Sequence, residues 1–195
     1  MTEVVLYHHV QGLTKGVQSF ADELRQAGHT VHTPDLFDGR RFDTIEEGMA
    51  FARDAGFAAL AERGVAAAEG ISPDVVYAGF SFGVVAAQQL AQTRPGARGA
   101  VLMSACLPVS EFGDAWPTSV PVQVHGKDAD PFFDEDLDAA QALVESTDRA
   151  ELFLYPGEEH LFADSSLAAY DAAAAALLIE RVRAFLDTVQ VAEAR

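Results

Sequence analysis

The stretch Gly79-Phe80-Ser81-Phe82-Gly83 constrains this chain more than any other. Before it stands Asp74-Val75-Val76-Tyr77-Ala78, a short β-branched and aromatic run that reads as a buried strand. After it stands Val84-Val85-Ala86-Ala87-Gln88-Gln89-Leu90, which reads as a helix packed on one face. A Gly-x-Ser-x-Gly sequence between strand and helix describes a sharp turn with the serine hydroxyl at its apex. Gly79 and Gly83 lack side chains, so the backbone can fold tightly and the helix can lie close to the strand. Out of context the motif is an ordinary glycine-rich turn; these flanks give Ser81 the setting of a nucleophile.

The rest of the chain repeats the alternation of strand and helix. Strands are expected at residues 4–8, 29–33, 74–78, 98–104, 120–125 and 151–155. Between the first two, Val17, Phe20, Ala21 and Leu24 follow helical spacing, and Gly28 suits the C-cap. Thr44 suits an N-cap, with Glu46 and Glu47 in the first turn; two helices broken near Gly56 then run to about Glu69. A helix is expected at residues 135–145, and a long alanine-rich one from about Leu167. The pattern predicts one α/β domain over residues 1–195: a mostly parallel sheet with helices on both faces. In such sheets ligands bind beyond the carboxyl ends of the strands. The loops that carry His9, Arg40, Ser81, Asp130 and His160 all leave those ends.

Charge narrows the partners. Thirty acidic residues against thirteen basic ones give a formal charge of −17. That argues against nucleic acid or an anionic membrane surface, both of which call for a basic patch. No stretch is apolar enough to span a bilayer, and no basic-then-apolar leader opens the sequence, so a cytoplasmic location is expected. The single cysteine, Cys106, excludes an internal disulfide and a thiolate metal cluster; following Ala100-Val101-Leu102-Met103, it reads as a buried structural thiol. His8, His9 and His125 fall near the expected active face but lack metal-ligand spacing, so neither metal nor cofactor is expected.

A serine hydroxyl needs a base, and the base needs an orienting carboxylate. C-terminal to Ser81, the chain supplies an aspartate loop after the fifth strand and a histidine loop after the sixth. His160 stands in the latter, with Leu161 and Phe162 to anchor it. The former holds both Asp128 and Asp130; Asp130, followed by Pro131-Phe132-Phe133, is the preferred acid. The order Ser…Asp…His is that of α/β-hydrolases. The backbone N–H groups of Phe82 and of Val10, in the loop after the first strand, are the candidate oxyanion donors.

The elbow, the Pro34-Asp35-Leu36-Phe37 run, Asp130 and His160-Leu161-Phe162-Ala163 together resemble the dienelactone hydrolase family of α/β-hydrolases, over nearly the whole chain. The resemblance implies Ser81 as nucleophile, His160 as base, Asp130 as acid, and Phe82 and Val10 as oxyanion donors. Three positions depart from the family pattern. Ser81 stands where the prototypes carry cysteine, His9 where they carry a glutamate, and Asp164 where an arginine binds the substrate carboxylate. His9, Phe37 and Arg40 are candidate substrate contacts, with Arg41 an alternative to Arg40. The expected activity is hydrolysis of a small ester or lactone through an acyl-enzyme. A thioesterase or other acyl-transfer enzyme with the same triad and a non-catalytic binding protein on the same scaffold are the alternatives; monomer and homodimer are both open.

Overall fold

The computed structural model describes residues 1–193. Six parallel strands form one sheet in the order β2-β1-β3-β4-β5-β6. They are β1 (Glu3–Tyr7), β2 (Thr30–His32), β3 (Val76–Phe80), β4 (Gly99–Met103), β5 (Val122–Lys127) and β6 (Ala150–Tyr155). Between and after them lie α1 (Lys15–Gln26), α2 (Ile45–Ala55), α3 (Phe57–Ala67), α4 (Val84–Thr93), α5 (Pro131–Asp134), α6 (Leu137–Ser146) and α7 (Ala172–Glu193).

Alternation along the strands divides the core. Val5, Tyr7, Tyr77, Leu102 and Val124 point to one face, where they meet Leu60 of α3, Leu90 of α4 and Leu143 of α6. Val4, Leu6, Val76, Ala78 and Val101 point to the other, where they meet Phe20 and Leu24 of α1 and Leu178 and Leu186 of α7. The central strands are buried on both faces, which is why they read as continuous apolar runs. Burying a leucine such as Leu24 contributes about 1.5–3 kcal/mol.

The chain steps from β1 outward to β2, returns to β3 on the other side of β1, and then proceeds to β6. The reversal opens a crevice between the carboxyl ends of β1 and β3, where doubly wound sheets bind ligands. The two segments that leave this crevice are the Val10 loop and the Ser81 elbow.

Several element boundaries differ from the sequence expectation: the third strand, expected at residues 74–78, runs from Val76 to Phe80, and the helix expected at 135–145 runs from Leu137 to Ser146. The last helix starts at Ala172 rather than near Leu167, because the Asp171 carboxylate accepts from the N–H groups of Ala173 and Ala174 and caps it there. The fifth strand starts after Pro121 and runs to Lys127. The segment after Asp130, expected as loop, forms the one-turn helix α5, with Asp130 accepting from Phe132 N–H and Pro131 in the first turn.

Candidate active site

Ser81 is held at φ +48°, a conformation that costs a non-glycine residue energy and persists only where its surroundings enforce it. The enforcement comes from the glycines. A Cβ on Gly83 would lie 2.6 Å from the Tyr7 carbonyl oxygen and 2.7 Å from that of His8. The elbow therefore seats directly on the end of β1. A Cβ on Gly79 would meet Gly83 itself. Residues 81–83 form a 3₁₀ turn that runs straight into α4, so Ser81 stands at the positive end of a helix.

The Ser81 hydroxyl lies 2.8 Å from His160 Nε2, and His160 Nδ1 lies 2.6 Å from Asp130 Oδ2. A carboxylate only accepts, so Nδ1 carries the proton and Nε2 accepts from Ser81. Asp130 is buried, and its other oxygen accepts from Phe132 N–H at 2.9 Å. The His160 ring is partly buried, with the Phe132 ring 4.8 Å away centroid to centroid. Its carbonyl accepts from Ser104 Oγ at 2.6 Å, and the ammonium of buried Lys127 binds Glu159 and Asp171 at 2.7 Å each, pinning the loop on both sides of the ring. Asp128 is engaged elsewhere: it is exposed, and its carboxylate accepts from Gly157 N–H.

The Val10 loop is fixed from three directions. His8 is buried; its Nδ1–H donates to the His9 carbonyl, and Nε2 accepts from Leu36 N–H in the loop after β2. Burial lowers its pKa to about 4, so it is neutral. Gln11 accepts from Phe42 N–H and donates its side-chain amide to the carbonyls of Phe42 and Asp43. Gly48 of α2 packs against the Val10 carbonyl group, where a Cβ would come within 2.7 Å of the carbonyl carbon. Val10 is 3% exposed, yet among the described residues its N–H donates to no protein acceptor. A buried unpaired N–H is rare.

Beside His160 lies a cleft of about 260 Å³. Phe132, Leu161, Ile45 and Leu167 supply its apolar walls, and Asp43 and Glu46 its charge. The expected substrate contacts His9, Phe37 and Arg40 fall outside it. His9 is fully buried, and its Nε2 lies 2.8 Å from Asp164 Oδ2. Phe37 is fully buried too, among Phe42, Phe51 and Phe82. Packing turns both side chains inward rather than toward a ligand. Arg40 is exposed, its guanidinium over the Phe51 ring at 5.2 Å, and Arg41 Nε donates to the Leu13 carbonyl at 2.6 Å. The histidines considered for a metal are dispersed: His8 bonds Leu36, His9 bonds Asp164, and His125 bonds Tyr155 and Gln123.

Sequence reasoning overlooked Asp164 as a structural centre. Its carboxylate also accepts from Thr14 Oγ1 and from both the N–H and the Oγ of Ser166. The run Asp164-Ser165-Ser166, an Asx-turn pattern just past His160, was the available signal. No helix among the described residues is long and apolar enough to cross a membrane.

The fold recurs in solved structures. A dienelactone hydrolase-like promiscuous phosphotriesterase, P91, from metagenomic libraries superposes with a TM-score of 0.75 at 21% identity, over 97% of this chain and 87% of that one. A dienelactone hydrolase from Anabaena variabilis gives 0.65 at 22% identity, over 93% and 84%. The thioesterase domain from the curacin biosynthetic pathway gives 0.60 at 15% identity, over 91% and 90%. No curated protein matches the sequence. The family model of the dienelactone hydrolases matches residues 1–190, and the chain, an α/β-hydrolase by fold, belongs to that family.

Proposed function

We propose that the protein is a serine hydrolase that cleaves a small carboxylic ester or lactone through an acyl-enzyme. The observation that carries this reading is the unbroken hydrogen-bonded chain from Ser81 through His160 to buried Asp130. Ser81 Oγ attacks the carbonyl carbon while His160 Nε2 takes its proton. The N–H groups of Phe82 and Val10 stabilise the oxyanion of the tetrahedral intermediate. His160 then protonates the leaving oxygen, and the acyl group remains on Ser81. Water, activated by the same histidine, attacks the acyl-enzyme and regenerates the serine. Asp130 keeps the proton on Nδ1 and stabilises the imidazolium.

The cleft favours a compact substrate without a carboxylate. Its charged lining residues are Asp43 and Glu46, both acidic, whereas Asp164 lies outside it, buried against His9 and Thr14. A dienelactone would meet repulsion there, whereas a short neutral acyl ester would not.

Steady-state hydrolysis of p-nitrophenyl acetate and butyrate by wild type and Ser81→Ala tests the reading. Turnover should vanish in the variant, with the circular dichroism spectrum unchanged. Full activity in Ser81→Ala would contradict the assignment. Matched oxygen esters and acyl thioesters, run in parallel, separate an esterase from a thioesterase by kcat/KM.

A further inference from the structure

We propose that His9 and Asp164 form a buried latch that fixes the Val10 amide in register with the His160 loop, which makes His9 a positioning residue for the reaction. The inference rests on the serine-hydrolase reading above and adds to it a part that neither the elbow nor the triad contains.

The two loops need such a connection. Val10 follows β1, near one side of the sheet, whereas His160 follows β6, the edge strand on the other side. Three strands separate β1 from β6, so no backbone ladder sets one loop against the other. The latch spans that gap. His9 immediately precedes Val10, Asp164 lies four residues beyond His160, and their side chains meet at 2.8 Å with both residues buried.

The hydrogen bonds fix the direction of the ring. Gln11 N–H donates to His9 Nδ1 at 3.2 Å, so Nε2 carries the proton and donates to Asp164. One imidazole thus ties the backbone just after Val10 to the loop that carries the base. The Gly12 N–H, donated to the His9 carbonyl at 3.0 Å, closes the turn around Val10. Asp164 is itself immobilised. One oxygen accepts from His9 and Thr14, the other from the N–H and hydroxyl of Ser166. A carboxylate with donors on both oxygens is well satisfied, but an apolar pair of similar volume would stabilise the fold about as well. What the polar pair supplies is direction: it determines which way the peptide groups on either side of Val10 face.

Kinetics of p-nitrophenyl acetate hydrolysis by the full chain, with melting temperatures alongside, test the latch. An oxyanion donor is worth ~10²–10³ in kcat, so misaligning one in His9→Ala should lower kcat by ~10–100-fold, with KM within ~3-fold. His9→Asn should recover part of the loss, because its amide oxygen can accept from Gln11 N–H where Nδ1 did. Asp164→Asn should also lower kcat, and the His9→Ala/Asp164→Asn double variant should be no slower than the slower single one, as expected of residues acting as a unit. If His9→Ala does not fold, His9→Asn against His9→Gln serves the same purpose, with Asn expected to be the faster. A folded His9→Ala with kcat within twofold of wild type, or Gln equal to or faster than Asn, would overturn the latch. Wild type lacking Ser81-dependent turnover would overturn both readings together; Ser81-dependent turnover with an unaffected His9→Ala overturns this one alone.

Discussion

Asp130 Oδ2 lies 2.6 Å from His160 Nδ1, while Asp128, two residues earlier, spends its carboxylate on the Gly157 N–H. Two aspartates in one loop thus have separate tasks: one faces the imidazole, the other closes the contact between neighbouring loops. Replacing them should separate the two. Asp130→Asn should lower kcat by roughly 10³–10⁴, since an amide permits the wrong imidazole tautomer. Asp128→Asn should leave kcat within about threefold and cost at most about 1 kcal/mol in stability, the net worth of one hydrogen bond. Steady-state kinetics and urea unfolding on the pair check both statements.

The sequence displays the chemistry better than the supports. The hydrogen-bonded grouping of Ser81, His160 and Asp130 was legible because each stands at a strand end in a loop of telling residue types. The elbow glycines were legible for the same reason. Phe37 and His9 were not. A residue just past a strand end can point to the ligand or into the core, and only the packing of Phe42, Phe51 and Asp164 around them decides. The short helix α5 was missed although Asp130-Pro131 is an N-cap followed by proline, because one turn is too brief for periodicity to register. The fold was legible almost throughout, since buried parallel strands and amphipathic helices write different periods into the chain.

Gly48 offers a test of the Val10 loop by sterics alone. A methyl group there would collide with the Val10 carbonyl, which is backbone and cannot swing away. Gly48→Ala should therefore destabilise the fold by about 1–3 kcal/mol, the range for overpacking, even though alanine is the better helix former. It should also lower kcat on p-nitrophenyl acetate. Thermal melts and kinetics on the same preparation would show whether the two losses occur together.

Buried histidines make the fold sensitive to acid. Burial lowers the pKa of His8 to about 4 and that of His125 to about 3, against an ordinary value of 6.5. The unfolded chain binds these two protons at higher pH than the native one does. Their contribution to stability is therefore complete above pH ~6.5 and declines as pH falls toward their folded pKa values. Urea unfolding at pH 7, 6, 5 and 4 should show stability falling across this window, and His8→Asn should reduce the slope.

Cys106 should be inert. It is fully buried, and burial, aided by the nearby Asp136 carboxylate, pushes its thiol up to about 12. Iodoacetamide at neutral pH should leave the rate of p-nitrophenyl acetate hydrolysis unchanged and Cys106 unmodified in the native protein. Inactivation by alkylation of Cys106 would mean that the thiol is accessible and close to the chemistry.

Covalent trapping tests most directly whether Ser81 is a nucleophile activated by His160. A fluorophosphonate incubated with wild type should add one phosphonyl group, located on Ser81 by peptide mass spectrometry. The rate should fall by at least ~10² in His160→Ala, in line with the worth of general-base catalysis, and labelling should be absent in Ser81→Ala. Equal labelling of all three proteins, or a label on a residue other than Ser81, would contradict the account.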